Sequence, residues 1–109
     1  MKLREAFLAA SKPTPRKVAI EGIDAEVFIR VLTVGEILEQ QEDVKDGENR
    51  PAIARAMARV VVDENNALIY DPKSADDIAE ILTLPWIYVR AIMEHANTIN
   101  GLVKAEQKN

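Results

Sequence analysis

Cysteine is absent from the 109 residues, and histidine occurs once. Without a thiol there is no disulfide framework, no thiol nucleophile, no Cys-type zinc site and no redox switch. Without a second imidazole, no two histidines can share a metal. Serine occurs only at Ser11 and Ser74, so the stock of nucleophiles and bases that catalysis requires is very small. There is no Gly-rich phosphate loop, and no apolar run approaches the roughly 20 residues that span a bilayer. Basic charge is also short: fourteen Lys and Arg stand against eighteen Asp and Glu, a net charge of -4. That balance argues against a surface made to condense on nucleic acid or anionic lipid.

What is present is 48% hydrophobic and 29% charged residues, an ordinary globular balance and one domain's worth of chain. At this length the core is thin, and help from an oligomer or a partner is in keeping with it. The opening residues Met1 to Ala10 are too short and polar for the apolar centre of a signal peptide. The expectation is a single domain over 1–109 in the cytoplasm, with 1–16 as a mobile arm and 102–109 as a frayed tail.

Leu3, Phe7 and Leu8 recur at helical spacing until Pro13 and Pro15 stop the pattern. Val18 and Ile20, then Val27, Ile29 and Val31, alternate with other residues around Gly22-Ile23-Asp24, which reads as an antiparallel hairpin. A lone hairpin is marginal in water, so one of its faces must pack on helices. Thr33 and Glu36 form a capping box that opens a helix. Val34, Ile37, Leu38 and Val44 share one face of it, and Glu36, Glu39, Asp43 and Asp46 share the other. Asp46-Gly47-Glu48-Asn49 ends it. Pro51 suits the first turn of the next helix, where Ile53, Met57, Val60 and Val61 fall at core spacing and Arg55 and Arg59 pair on a flank. Val62 to Asn66 reads as a turn into a short extended stretch, Ala67 to Tyr70. Ser74 with Asp77 caps a short helix, and Thr83-Leu84-Pro85 opens the longest one, with Gly101 near its end. The fold class is mainly α (α+β): four to five helices with an N-terminal β-hairpin.

His95, at the border of an apolar arc, reads as a packing or capping residue rather than a general base. Asp63-Glu64-Asn65-Asn66 lacks the ligand spacing and central Gly of a calcium loop and reads as a turn. Arg55 and Arg59, one helical turn apart, suit a phosphate, although a carboxylate of the acidic face is the simpler partner. That face otherwise reads as solvated, so charge reversal of Glu39 and Asp43 is expected to leave folding nearly unchanged. On the last helix Trp86, Tyr88, Val89, Ile92, Met93, Ala96 and Ile99 cover an arc wider than a thin core requires. Trp86 and Tyr88 suit a core or an interface, with the core reading ahead. The candidate partner-binding residues are Glu36, Glu39, Asp43 and Asp46 on the acidic face, and Trp86, Tyr88, Ile92 and Ile99 on the last helix. No catalytic, metal or cofactor site is expected.

The order KVAIEGIDAEVFIRVLTVGE, a variable acidic helix, ARAMARVVVDENNALIYD and a terminal LPWIYVRAIMEHANTIN resembles the tail assembly chaperones of lambda-like long-tailed phages. The resemblance covers most of the chain and rests on an R-x-L-T step (Arg30-Val31-Leu32-Thr33), a V-x-D-E turn (Val61-Val62-Asp63-Glu64) and the apolar stretch Leu68-Ile69-Tyr70. The chain departs at Glu21-Gly22-Ile23, where relatives often carry a Pro-Glu-Trp-like turn. The resemblance implies a non-enzymatic protein of the host bacterial cytoplasm, absent from the mature virion. It implies a homo-oligomer that keeps the tape measure protein soluble and helps tail tube protein assemble around it, often with a frameshifted longer form. Gln107-Lys108-Asn109 is compatible with an A-rich slippery run at the end of the gene. The rival readings are a structural head-to-tail connector or small tail component, and a small enzyme subunit.

Overall fold

The computed structural model describes residues 2–11, 13–45 and 49–102. In chain order it holds α1 (Lys2–Ala9), β1 (Arg16–Val18), β2 (Val27–Ile29), α2 (Val34–Lys45), α3 (Asn49–Val60), β3 (Val61–Val62), α4 (Ala75–Leu82) and α5 (Trp86–Ile99). Five helices therefore accompany a small antiparallel sheet of order β1-β2-β3, and the chain is mainly α with an N-terminal hairpin. Arg16 pairs with Ile29 and Val18 with Val27 across the hairpin.

The hairpin is not left to the helices alone. Phe28 pairs with Val62 and Ile29 with Val61, so the valine run after α3 becomes a third strand where the sequence pattern gave helix and turn. Three β-branched residues in succession lose side-chain freedom in a helix and pack well on a pleated surface. The pairing offered by β2 decides between the two. Beyond it Asp63 Oδ1 accepts from the backbone N–H groups of Asn65 at 2.8 Å and Ala67 at 3.0 Å, and Asn66 takes φ +70°. The turn is an Asx turn, with no ligand geometry. The stretch after it keeps only one bridge, Val62 to Leu68.

Helix α3 sits at the centre and packs against α2, α4 and α5. Its inward line is Ala54, Met57, Ala58 and Val60, with Ala54 and Ala58 at 0% exposure, whereas Ile53 is 41% exposed. Small residues let neighbouring helices approach closely, and the β-branched Ile53 is turned to the surface. Ile20, Ile29, Ile78, Ile81, Val89, Ile92 and Ala96 complete the core. Full burial of an Ile or Val such as Ile29 or Val60 contributes roughly 1.5–3 kcal/mol.

The helix ends follow their local chemistry. Thr33 Oγ1 accepts from the Glu36 N–H at 3.2 Å while Glu36 Oε1 accepts from the Thr33 N–H at 2.9 Å, the reciprocal capping box. Ser74 Oγ accepts from the Asp77 N–H at 3.2 Å at the start of α4. After α5, Gly101 takes φ +71°. Its N–H donates to Thr98 and that of Leu102 to Asn97, the paired bonds of a Schellman cap.

Candidate partner-binding surfaces

Arg30 joins three elements. Its Nε donates to the Arg59 carbonyl at 2.6 Å, and its two terminal nitrogens grip Glu36 at 3.0 and 2.6 Å. Two residues on, the Leu32 N–H donates to Asn100 Oδ1 at 2.7 Å, while Asn100 Nδ2 donates back to the Arg30 carbonyl. The R-x-L-T step is thus the joint that ties β2 to the start of α2 and the ends of α3 and α5. The Arg30 hydrogen bond is the leading cause that holds the Glu36 carboxyl below its ordinary value, with the Thr33 bonds adding to it against the opposing effect of burial. Glu36 is a structural partner here rather than a free acid.

Helix α2 turns Glu36 and Asp43 inward together with Ile37, and leaves the rest of its apolar face, Val34, Leu38 and Val44, outside. Asp43 Oδ2 sits 2.9 Å from Arg59 Nη2 and 3.2 Å from Arg55 Nε, and Glu39 Oε1 lies 3.4 Å from Arg59 Nε. Arg59 is only 6% exposed. A guanidinium with so little water needs carboxylates more than the core needs three further aliphatic side chains. Burial pushes the Asp43 carboxyl up, but Arg59 and Arg55 outweigh it and leave the group below its ordinary value. Consequently Val34, Leu38 and Val44 face solvent at 78%, 54% and 59% exposure.

The turned helix adds Val44 to an apolar band. Val44 and Ile53 line one hollow together with Ala52 and Ala56. Ile53 also lines a second hollow with Leu82, Leu84 and Trp86. Val44, Ile53, Leu82 and Trp86 therefore form a continuous strip across α2, α3, α4 and α5, each between 41% and 59% exposed. Single exposed aliphatic residues are ordinary, but a row bridging four helices is the kind of surface that binds a partner.

A separate cleft of about 970 Å³ opens between the sheet and the start of α5, lined by Val27, Phe28, Ile69, Leu84 and Tyr88 with Glu26, Asp63 and Glu64 at its border. Gly22, at φ +94°, lies against the Tyr88 ring: a Cβ there would stand 2.6 Å from the ring edge. The tight turn and the bare backbone fix Tyr88 as one wall of the cleft. Tyr70 at the same cleft donates to Glu80 Oε2 at 3.2 Å. Its hydroxyl is pushed above its ordinary value by burial first, then by Glu80 and Asp77.

Of the residues the sequence singles out, Glu36 and Asp43 are tied to arginines, and Glu39 is the most exposed of the three, its side chain 60% open. Asp46 lies outside the described residues. Trp86 is 59% exposed rather than core. Tyr88 is half-buried. Ile92, 3% exposed, is a core residue whose edge borders the cleft, and Ile99 packs against the core. His95 is exposed. The sequence pattern puts Val34, Ile37, Leu38 and Val44 on one face of α2 and Ile53 at core spacing on α3; Ile37 is half-buried, whereas Val34, Leu38, Val44 and Ile53 are exposed. The signal that places them outside is the complementary spacing of Glu39 and Asp43 on one helix and Arg55 and Arg59 on the next, each four residues apart.

Among the described residues no three His, Asp or Glu side chains gather as a metal site requires, and no helix is long and apolar enough to cross a membrane. No protein-family model matches the chain, and comparisons with curated proteins and with solved structures found no match either.

Proposed function

We propose that this protein is a tail assembly chaperone of a lambda-like long-tailed phage or prophage, acting in the host bacterial cytoplasm and left out of the mature virion. The observation that carries the reading is the apolar band from Val44 through Ile53 and Leu82 to Trp86, on a chain whose motif order resembles that family. A tape measure protein is a very long helical chain with apolar stripes that aggregate when bare. A small acidic protein with a solvent-facing apolar strip covers such a stripe by helix-in-groove contact, and its net negative charge keeps the coated complex soluble. Each copy contributes a modest contact area. Many modest contacts along one helix hold it as a set, yet each copy is displaced singly by an arriving tail tube subunit.

Co-expression tests this directly. Tape measure protein encoded beside this gene should move from the pellet to the soluble fraction and co-purify with the chain, and mass spectrometry of finished virions should not find the chain. Its presence in virions in the copy number of a ring would assign it instead to a head-to-tail connector or small tail component.

A further inference from the structure

We propose that the cleft between the sheet and the start of α5 binds a segment of a partner protein that carries an apolar anchor beside an arginine or lysine. The cleft shares only Leu84 with the hollows of the four-helix band, so the inference does not rest on the reading given to that band.

The floor of the cleft is apolar and stands ready. Phe28, Tyr70 and Tyr88, three of the chain's five aromatic residues, converge on it with Val27 and Ile69. The Tyr88 ring lies against Gly22, and Tyr70 is tied to Glu80 by its hydroxyl. Walls fixed in this way lose little freedom when something binds, which favours binding. The volume of about 970 Å³ is at the upper end of what small ligands fill. Ile69, half of it open to solvent at 53% exposure, carries the apolar surface out past the hollow. A segment of chain covers both the hollow and that edge.

Charge selects the occupant. Glu26, Asp63 and Glu64 border the cleft, and no Lys or Arg is among the described residues that line it. Glu26 already has Lys17 at 3.3 Å. Asp63 accepts only from uncharged backbone N–H groups, and neither Asp63 nor Glu64 has a cation at ion-pair distance among the described residues. The stretch 61–82, to which both belong, carries six acidic groups and one basic, Lys73, which lies at a different hollow beside Arg55. The Asx turn holds the two unpaired carboxylates in place. An apolar floor with its charges at an exposed border is the layout of a protein interface, whereas a site for a free organic cation surrounds the charge with rings. An arginine or lysine beside an apolar residue answers both parts. The apolar side chain and the aliphatic stem lie along the aromatic walls, and the charged head reaches Asp63 and Glu64.

Selection from a displayed library of random peptides on the full chain tests the assignment. Peptides with an apolar residue beside Arg or Lys should be enriched, and among them should be peptides that move the ring resonances of Tyr70 and Tyr88 on binding. Variants then separate charge from shape, with unfolding curves as the check on each fold. Asp63→Asn/Glu64→Gln removes both charges and keeps an acceptor for the Asx turn. It should weaken those peptides roughly fivefold or more and flatten the loss of binding that salt causes in the wild type. Ile69→Ser, at an exposed position, should weaken them through the lost apolar wall. Ile53→Ser/Trp86→Ser, in the band, should leave their binding unchanged, which keeps the fate of this assignment apart from that of the band. Enrichment of acidic or uncharged peptides, no enrichment, or binding that survives both cleft variants or is lost in the band variant overturns the proposal. Benzyltrimethylammonium binding as tightly as the peptides would assign the cleft to a free cation, and a self-associated species that the peptides take apart would seat a second copy there. Either result also overturns it.

Discussion

Arg59 and Asp43, sixteen residues apart in the chain, meet at 2.9 Å between α3 and α2. This pair decides which side of α2 the solvent sees. Loss of Asp43 leaves a nearly buried guanidinium with only the more distant Glu39, whereas loss of Glu39 removes a largely exposed carboxylate. Asp43→Ala should therefore cost about 3 kcal/mol and Glu39→Ala under about 1 kcal/mol, read from urea unfolding. Helical pattern alone expects charge reversal at both positions to leave folding nearly unchanged, whereas the contact with Arg59 predicts a loss at Asp43.

The same chemistry fixes the acid response. Glu36 and Asp43 both lie below their ordinary values of 4.5 and 3.8 in the folded chain. Groups held low in this way contribute stability that is complete above the unfolded values and lost as pH falls through the folded ones. Unfolding midpoints should hold steady near pH 6 and fall from about pH 5 downward. The Asp43→Asn variant should be less stable at neutral pH and show a shallower fall.

Two glycines with positive φ separate backbone strain from steric closeness. Gly101 has open space where a Cβ would stand, but Gly22 has the Tyr88 ring at 2.6 Å. Gly101→Ala should cost about 1 kcal/mol for the left-handed backbone. Gly22→Ala should cost about 2–4 kcal/mol, the same strain with overpacking added, and should shift the Tyr88 fluorescence or ring resonances.

Local chemistry made much of this fold readable. Thr33 with Glu36, Ser74 with Asp77, and Gly101 mark helix ends because each bond closes within a few residues. The hairpin is readable from alternation around Gly22. The strand Val61–Val62 is not, because a run of valines after a helix satisfies helical and extended patterns alike until β2 lies beside it. The face of α2 is not readable from its own residues either. Asp43 turns inward because Arg59 of another helix is buried there, and Val44 joins the apolar band only once that has happened.

The measurement closest to the central claim is recovery of soluble tape measure protein with wild type and with Ile53→Lys/Trp86→Lys. Both residues are exposed in the band, so the double variant should keep its unfolding midpoint within about 1 kcal/mol of wild type. The account predicts that wild type recovers the tape measure protein in the soluble complex and the variant does not. Equal recovery with the two chains, or none with the wild type, would contradict it.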